Sequence, residues 1–324
     1  MKSIIGMGNA LVDILVSFND DTFLEDVGIA KGSMQLVDLS FSNRILKKIE
    51  QCPLTTVSGG SASNTIHGLS GLGVSTGFIG KISEDKYGLI FREDLLKNGI
   101  EPRLFTEGPH TGRAIAMISP DSERTFATYL GSAVKLNSAE ITSDIFKGYD
   151  CLHIEGYLVQ NHELLEKALL TAKKQGLLIS LDLASYNIVQ ENLEFLQEMV
   201  GSYVDILFAN EEEALAFTGL PPEEAVEKMG QNCKVAVVKK GAAGSVIYHD
   251  GNMTHVGSIS VKALDTTGAG DLYASGFLYG VINDMQTVKC GMMGSLLAGK
   301  VIEQVGAKIP EKKWNEIYET VRTL

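Results

Sequence analysis

The sequence predicts an α/β protein whose central sheet is mainly parallel and carries helices on both faces. Two observations support this prediction. From Asp150 onward, short apolar segments of strand length alternate with segments of helical periodicity, an order that is typical of parallel sheets. Residues 177–181 and 204–208 are largely apolar, as expected for strands that are buried on both faces.

The elements follow from hydrophobic periodicity. Strands of the main sheet are predicted at residues 4–8, 151–155, 177–181, 204–208, 235–239 and 245–248. Residues 161–175 are predicted to form a helix, because their apolar residues share one helical face, and three further helices close the chain. A second, smaller sheet is predicted from residues 11–17, 34–37, 113–118 and 125–129. No internal repeat or low-complexity linker divides the chain.

Composition excludes several functional classes. The chain has 324 residues and a net charge of −12, which argues against a general binder of nucleic acid or of anionic membranes. Its four cysteines are far apart in the sequence, a pattern of reduced intracellular thiols rather than of a zinc site. No secretory leader and no run of about 18 apolar residues is evident, so we expect a cytoplasmic protein.

A glycine-rich stretch ending in a carboxylate precedes the helix-like run 272–281. It reads Asp265-Thr266-Thr267-Gly268-Ala269-Gly270-Asp271. Backbone N–H groups at a helix start bind anions, so a carboxylate there is poorly suited to phosphate binding alone. The arrangement is useful if Asp271 accepts a proton from a hydroxyl while the amides of Gly268, Ala269 and Gly270 hold charge on a phosphoryl group. The stretch therefore predicts a kinase that acts on an alcohol. The alternative is an Asp271 that only complements the helix dipole.

A second motif, Ser58-Gly59-Gly60-Ser61-Ala62-Ser63-Asn64, precedes the predicted helix at residues 62–72. Gly59 and Gly60 permit a close approach of backbone to ligand, and Asn64 both donates and accepts hydrogen bonds. The structural alternative is a turn that leads into a helix capped by Ser61.

Asp13 belongs with this motif. A carboxylate on an apolar strand is costly unless something satisfies it, and the paired hydroxyls of a ribose would do so. We expect Asn9 to reach the same ligand.

A third motif, Asn210-Glu211-Glu212-Glu213, follows a predicted strand. Asparagine with glutamate three residues later is a capping pattern at a helix start. The same position, at the carboxyl edge of a parallel sheet, is where ligands bind in open α/β folds. Capping and ligand binding are compatible at this site. His67 and His153 show no metal spacing and are expected to pack or to form hydrogen bonds.

Taken together and in this order, the three motifs resemble those of the ribokinase-like (PfkB) carbohydrate and nucleoside kinases. The resemblance implies a ribokinase-like fold with a β-sheet lid that is discontinuous in sequence. The expected main domain comprises residues 1–10, 40–105 and 132–324, and the expected lid comprises residues 11–39 and 106–131. It also implies binding of ATP and Mg²⁺, with Asn210, Glu213 (acting on magnesium through water), Lys239 and Gly241 near the nucleotide, and sugar hydroxyls against Gly59, Gly60 and Asn64.

The residues do not determine which alcohol is the acceptor of the phosphoryl group. The segments 6–13 and 203–211 look closest to the adenosine kinase branch, which favours phosphorylation of a nucleoside on its primary hydroxymethyl group. The alternatives are a ribokinase-, fructokinase- or 2-keto-3-deoxygluconate kinase-like enzyme, or a catalytically idle binding protein on this fold. A sugar acid would require a cation in the lid cleft, for which Arg113 and Arg124 are candidates.

Three further expectations concern regulation and assembly. Arg124 either folds over the phosphates or lies solvated in a turn. A dependence of activity on potassium, as in many relatives, is a further expectation from the resemblance. The candidate ligands are backbone carbonyls around Asp265 and Thr267 and those of residues 305–307. The protein is expected to act as a monomer or as a homodimer through the lid, with no nucleic-acid or membrane partner.

Overall fold

The computed structural model describes residues 2–121 and 123–323. In chain order the strands are β1 (Ile4–Met7), β2 (Leu11–Ser17), β3 (Met34–Leu36), β4 (Thr55–Gly59), β5 (Thr76–Ile82), β6 (Ile100–Thr106), β7 (Gly112–Ile118), β8 (Arg124–Tyr129), β9 (Cys151–Glu155), β10 (Leu178–Asp182), β11 (Ile206–Asn210), β12 (Val235–Lys239), β13 (Ser245–His249) and β14 (Asn252–Val256). The α-helices are α1 (Thr22–Val27), α2 (Leu39–Lys48), α3 (Ser61–Gly71), α4 (Lys86–Lys97), α5 (His162–Lys174), α6 (Tyr186–Glu191), α7 (Leu193–Tyr203), α8 (Glu211–Thr218), α9 (Pro222–Gly230), α10 (Ala269–Ile282), α11 (Thr287–Ile302) and α12 (Trp314–Thr323).

The central sheet has nine strands in the order β14-β13-β12-β11-β10-β9-β1-β5-β6. All neighbouring strands from β12 to β6 are parallel, and β13 and β14 form an antiparallel edge. The predicted α/β class with a mainly parallel sheet is therefore confirmed. The register aligns the carboxyl ends of four strands, with Asp182 beside Glu155 and Asn210 beside Lys239.

Apolar clusters cover both faces of this sheet. One cluster includes buried residues of α5, α7, α8 and α9, and the opposite one includes buried residues of α3, α4 and α10. Helix α5 forms as predicted, because Leu164, Leu165, Ala168, Leu169 and Ala172 are buried on one face. Its first turn is capped by the Asn161 side chain, which accepts a hydrogen bond from the Leu164 N–H.

A second sheet has five strands in the order β3-β8-β7-β2-β4. It contains all four strands predicted for the smaller sheet, together with β4. The expected segment limits assigned residues 40–105 to the main domain, whereas β4 within them pairs antiparallel with β2, with Gly59 opposite Leu11. This pairing joins the second motif to the strand that bears Asp13. Within residues 2–121 and 123–323, no helix combines the length and apolar character needed to cross a membrane.

Candidate active site

The three sequence motifs meet in one cleft at the carboxyl edge of the central sheet. The starts of α8 and α10 and the ends of β10 and β12 line a cavity of about 670 Å³. Asp271, Glu213 and Lys239 are among its lining residues. Residues that are remote in sequence are therefore close together, at the edge where ligands bind in open α/β folds.

Gly268 begins α10 in a left-handed conformation, with φ of 76°. A Cβ atom at this position would lie 2.6 Å from the Ala307 Cβ, so both the conformation and the space require glycine. The Ala269 N–H donates to the Thr266 carbonyl at 3.2 Å. In the described part of the chain, the N–H groups of Gly268 and Gly270 have no acceptor, and they are the amides available to an anion.

Asp271 lies in the first turn of α10 and faces the start of α3. Its Oδ1 accepts from the Ser61 hydroxyl at 2.7 Å, and its Oδ2 accepts from the Asn64 side-chain amide at 2.9 Å. Burial raises the pKa of Asp271, while these two hydrogen bonds oppose the rise. A half-buried carboxylate with a raised pKa is a stronger base than an exposed aspartate, and the two hydrogen bonds hold it in a fixed orientation.

Gly60 directs Asn64 and Ser61 toward Asp271. It precedes α3 with φ of 93°, and a Cβ there would lie 2.4 Å from the Asn9 carbonyl oxygen. The Asn64 Oδ1 is buried and has no hydrogen-bond partner among the described residues. The side chain therefore keeps one acceptor for a ligand while its amide holds the candidate base.

Asp13 lies against the second motif. A Cβ on Gly59 would lie 2.3 Å from the Asp13 Oδ1, so the missing side chain leaves room for the carboxylate. Burial raises the pKa of Asp13 to about 7, with the positive charges of Lys308 and Arg124 opposing the rise. Within the described residues no donor is hydrogen-bonded to this carboxylate, which leaves it open to ligand hydroxyls.

Asn9 is oriented by a residue that the sequence analysis missed. Its backbone N–H and its side-chain amide both donate to the Glu155 Oε1 at 2.8 Å. The second oxygen of Glu155 accepts from the Ala62 N–H at 3.0 Å. Burial raises the pKa of Glu155 to about 7. Glu155 ends a predicted strand, and its position at the carboxyl edge was the signal that could have identified it.

Lys239 contributes the positive charge nearest the start of α10. Its ammonium group donates to the Asp182 Oδ2 at 2.6 Å and would lie 3.2 Å from a Cβ on Gly270. Burial lowers the pKa of Lys239, but the carboxylates of Asp182 and Glu213 outweigh it, and the net shift is upward. Lys239 is therefore a charged lysine beside the amides that can bind an anion. Asp182 was not identified from the sequence.

Asn210 and Glu213 form the capping box that the third motif indicates. The Asn210 side chain accepts from the Glu213 N–H at 2.8 Å, and the Glu213 carboxylate accepts from the Asn210 N–H at 2.7 Å and from its amide at 2.8 Å. Burial raises the pKa of Glu213 to about 7. Glu213 also lines the cleft, as does Gly241 with φ of 52°.

Arg124 is not a solvated turn residue. It is the first residue of β8, its side chain is buried, and its guanidinium pairs with the Asp265 carboxylate. Asp265 also accepts from the N–H groups of Thr267 at 3.1 Å and Gly306 at 2.6 Å. The lid sheet is thereby tied to the loop before α10. The two loops that were considered for a monovalent cation lie side by side.

Comparisons with known proteins agree with this geometry. A family model described as pfkB family carbohydrate kinase matches residues 32–314. A 5-dehydro-2-deoxygluconokinase of Geobacillus kaustophilus is 30% identical over 285 residues, which cover 82% of this chain and 85% of that protein.

Two solved structures are similar over nearly their full length. A probable sugar kinase from Rhizobium etli has 32% identity and a TM-score of 0.89, covering 100% of this chain and 99% of that one. An adenosine kinase from Sinorhizobium meliloti has 32% identity and a TM-score of 0.87, covering 98% and 99%. The chain therefore belongs to the pfkB family of carbohydrate kinases, and it is an ATP-dependent enzyme that phosphorylates an alcohol.

Proposed function

We propose that this kinase phosphorylates a primary hydroxymethyl group of a sugar. The observation that supports this most strongly is the convergence of Asp271, the amides at the start of α10, and the Asp13 carboxylate, which has no hydrogen-bond partner among the described residues. The first two suit phosphoryl transfer, and the third suits an acceptor with several hydroxyls. A sugar kinase is favoured over the nucleoside kinase expected from the sequence, because relatives over most of the chain are named as kinases of a sugar derivative.

Asp271 acts as the general base in this proposal. Its carboxylate accepts the proton of the acceptor hydroxyl as the oxygen attacks the γ-phosphorus of ATP, and ADP leaves. Ser61 and Asn64 hold the carboxylate in orientation through their hydrogen bonds. Burial raises the pKa of Asp271, which moves its basicity toward neutral pH, where general bases are most effective.

The amides of Gly268 and Gly270 are the proposed donors to the transferring phosphoryl group, reinforced by the dipole of α10. Lys239 would bind the same phosphates, held toward them by Asp182. Most of the acceleration in phosphoryl transfer comes from positioning and electrostatic stabilisation of this kind.

The residues of the cleft fit magnesium that arrives with ATP. Asp182, Glu213 and Asp271 face a single lysine, Lys239, so the cleft has an excess of negative charge. Among the described residues no group of three or more His, Cys, Asp or Glu side chains is arranged to hold a metal. Magnesium keeps several waters when it binds through one or two carboxylates and phosphates, and Glu213 is the proposed partner of such a water. When bound, the ion neutralises charge on the phosphates.

The acceptor subsite presents hydrogen-bond acceptors. Within the described residues, the buried Asn64 Oδ1 has no hydrogen-bond partner, and no hydrogen bond is made to the Asp13 carboxylate, so each is free to accept from a hydroxyl or amine of the ligand. Gly59 and Gly60 would let the ligand approach the backbone, and Asn9 borders the same space. Arg113 is buried, and its guanidinium donates to the Ser42 hydroxyl at 2.8 Å and to the Asn43 side chain.

A nucleoside is the second candidate acceptor. The likeness to the Sinorhizobium meliloti adenosine kinase, at 32% identity over 98% of this chain, specifically favours it. A ribosyl group would satisfy Asp13 as well as a free sugar would. The idle binding protein is set aside, since the chain belongs to a kinase family and keeps Asp271.

The test is a panel of acceptors with ATP and magnesium, with ADP release as the readout. Ribose, fructose, 5-dehydro-2-deoxygluconate and adenosine represent the neutral sugars, the sugar acids and the nucleosides. We expect the highest kcat/KM with one of the first three. A kcat/KM for adenosine that exceeds all three would replace the proposal by the nucleoside kinase, and ADP release that no acceptor stimulates would reject both.

A further inference from the structure

A partly buried polar network lies beside the acceptor motif and joins four segments of the chain. Lys308, in the loop after α11, donates to the Asp94 Oδ2 at 2.5 Å and to the Ser58 hydroxyl. His67 of α3 brings its Nε2 within 2.7 Å of the same Asp94 oxygen and within 3.2 Å of the Lys308 ammonium. Ser58 also donates to Asp94. None of these four residues has a role in the catalytic mechanism proposed above.

The network touches the acceptor subsite through β4. Ser58 immediately precedes Gly59, against which the Asp13 carboxylate lies, and it is paired with Val12 of β2. Ala307, the neighbour of Lys308, contacts the position of Gly268 at the start of α10. A single lysine therefore spans the short distance between the acceptor motif and the loop that holds the phosphate-binding amides.

The charges of the network favour an anchoring role for Lys308. The charges of Asp94 and Lys308 compensate each other. Burial raises the pKa of Asp94, but its contacts with His67 and Lys308 outweigh this effect and hold the pKa well below its usual range. Lys308 is also the positive charge that lowers the pKa of Asp13 most, ahead of Arg124. A partly buried ion pair of this kind adds little net stability, and its more distinctive effect is to fix one arrangement of the groups around it.

We propose that Lys308 is a positioning residue of the acceptor subsite: its ammonium group anchors the Ser58–Gly59 end of β4 and thereby holds the surface on which Asp13 receives the acceptor hydroxyls. The inference rests on the proposed function for the identity of the acceptor, but the anchoring itself does not depend on which acceptor is used. Lys308 donates to Ser58 and Asp94 and, within the described residues, forms no hydrogen bond to Asp271 or to the start of α10. Its proposed effect on the acceptor is therefore exerted through Ser58 and the end of β4 beside Asp13.

The test compares two matched double variants in the full-length enzyme. Lys308→Met/Asp94→Asn removes the pair without leaving an unpaired buried charge. Lys173→Met/Asp205→Asn removes another long-range lysine–aspartate pair, at 3.1 Å, from the amino-terminal edge of the sheet, where exposed Lys234 is the second partner of Asp205. Steady-state kinetics use whichever of ribose, fructose, 5-dehydro-2-deoxygluconate and adenosine gives the highest kcat/KM. Hydrogen exchange of the unliganded protein is followed in the peptide that contains residues 55–60.

For Lys308→Met/Asp94→Asn we expect the KM for the acceptor to rise by about tenfold or more, as for loss of a hydrogen bond to a charged group. The KM for ATP stays unchanged, kcat changes less than the acceptor KM, and residues 55–60 exchange faster. The single variant Lys308→Arg keeps the positive charge, and its KM for the acceptor lies closer to the wild-type value than that of the double variant. The control double variant leaves both KM values and this exchange rate as they are.

Two results would overturn the proposal. Unchanged exchange at residues 55–60 would do so whether or not any of the four acceptors is phosphorylated, which separates this inference from the proposed function. Equal increases of the KM for the acceptor and for ATP would show a general structural role only.

Discussion

Replacement of Asp271 by asparagine removes the proposed base while it preserves the surrounding hydrogen bonds. The Asn64 Oδ1 has no partner among the described residues, so rotation of the Asn64 amide allows it to accept from the new side-chain amide. The Ser61 hydroxyl continues to donate to the remaining oxygen. The amides proposed to bind the phosphoryl group belong to the backbone and are unaffected. We therefore expect a folded protein with a KM for ATP close to that of the wild type.

The expected loss for Asp271→Asn is at least about a hundredfold in kcat, the lower end for removal of a general base. The assay is ADP release with the acceptor that performs best in the panel, together with thermal unfolding to verify the fold. Asp144→Asn is the matched control, because Asp144 is exposed and its ion pair with Lys147 lies on the surface. Turnover of Asp271→Asn within a few-fold of the wild type would refute the assignment of Asp271 as the base.

Three further perturbations test other parts of the site. The pKa of Asp13 is about 7, and in the proposed function its carboxylate form accepts the ligand hydroxyls, so the KM for the acceptor should rise by about tenfold as pH falls from 8 to 6. Asp13→Asn should have a high KM for the acceptor that lacks this pH dependence. A pH dependence that persists in Asp13→Asn would exclude Asp13 as its source. Gly268→Ala should lower kcat, and it should destabilise the fold by more than Gly219→Ala does. Both glycines have φ near 75°, but only a Cβ at Gly268 meets Ala307. Equal losses of unfolding free energy in the two variants would contradict this. Exchange of potassium for tetramethylammonium at constant ionic strength should lower kcat more than it changes the KM for ATP if residues 265–267 and 305–307 bind a monovalent cation, and an unchanged rate would exclude that site.

The sequence predicts the part of the fold that depends on local patterns. The apolar strands from β9 to β12 and helix α5 have hydrophobic periods that appear within a short window. The three motifs are equally local, because glycine, asparagine and aspartate at a helix start have conformational and chemical consequences in their own right. Their convergence in one cleft follows from the rule that parallel strands present their carboxyl ends at one edge.

Long-range pairing was not predictable in the same way. Strand β4 is short and half polar, and nothing in residues 55–59 indicates that it adds to the lid sheet beside β2. The partner of Arg124 lies 141 positions later in the chain, and Lys308 meets Asp94 and His67 across more than 200 positions. Such ion pairs leave no spacing in the sequence, so the sequence analysis treated Arg124 as a lid residue of uncertain role and did not select Lys308.

Glu155 and Asp182 are intermediate cases. Each is the last residue of a strand, at the edge where the site was expected. Their positions were therefore available from the sequence, but their partners, Asn9 and Lys239, required the three-dimensional register of neighbouring strands. The carboxylates that orient the site were for this reason found only in the structure.

The most direct test of the central claim is the ³¹P NMR spectrum of the product formed from ATP and the best sugar acceptor. The phosphorus of an ester on a hydroxymethyl carbon couples to the two protons of that carbon, so transfer to the primary hydroxyl predicts a triplet in the proton-coupled spectrum. This triplet should be absent when Asp271→Asn replaces the wild type under identical conditions. A doublet, which reports an ester on a secondary carbon, or an equally strong ester signal with Asp271→Asn would contradict the account.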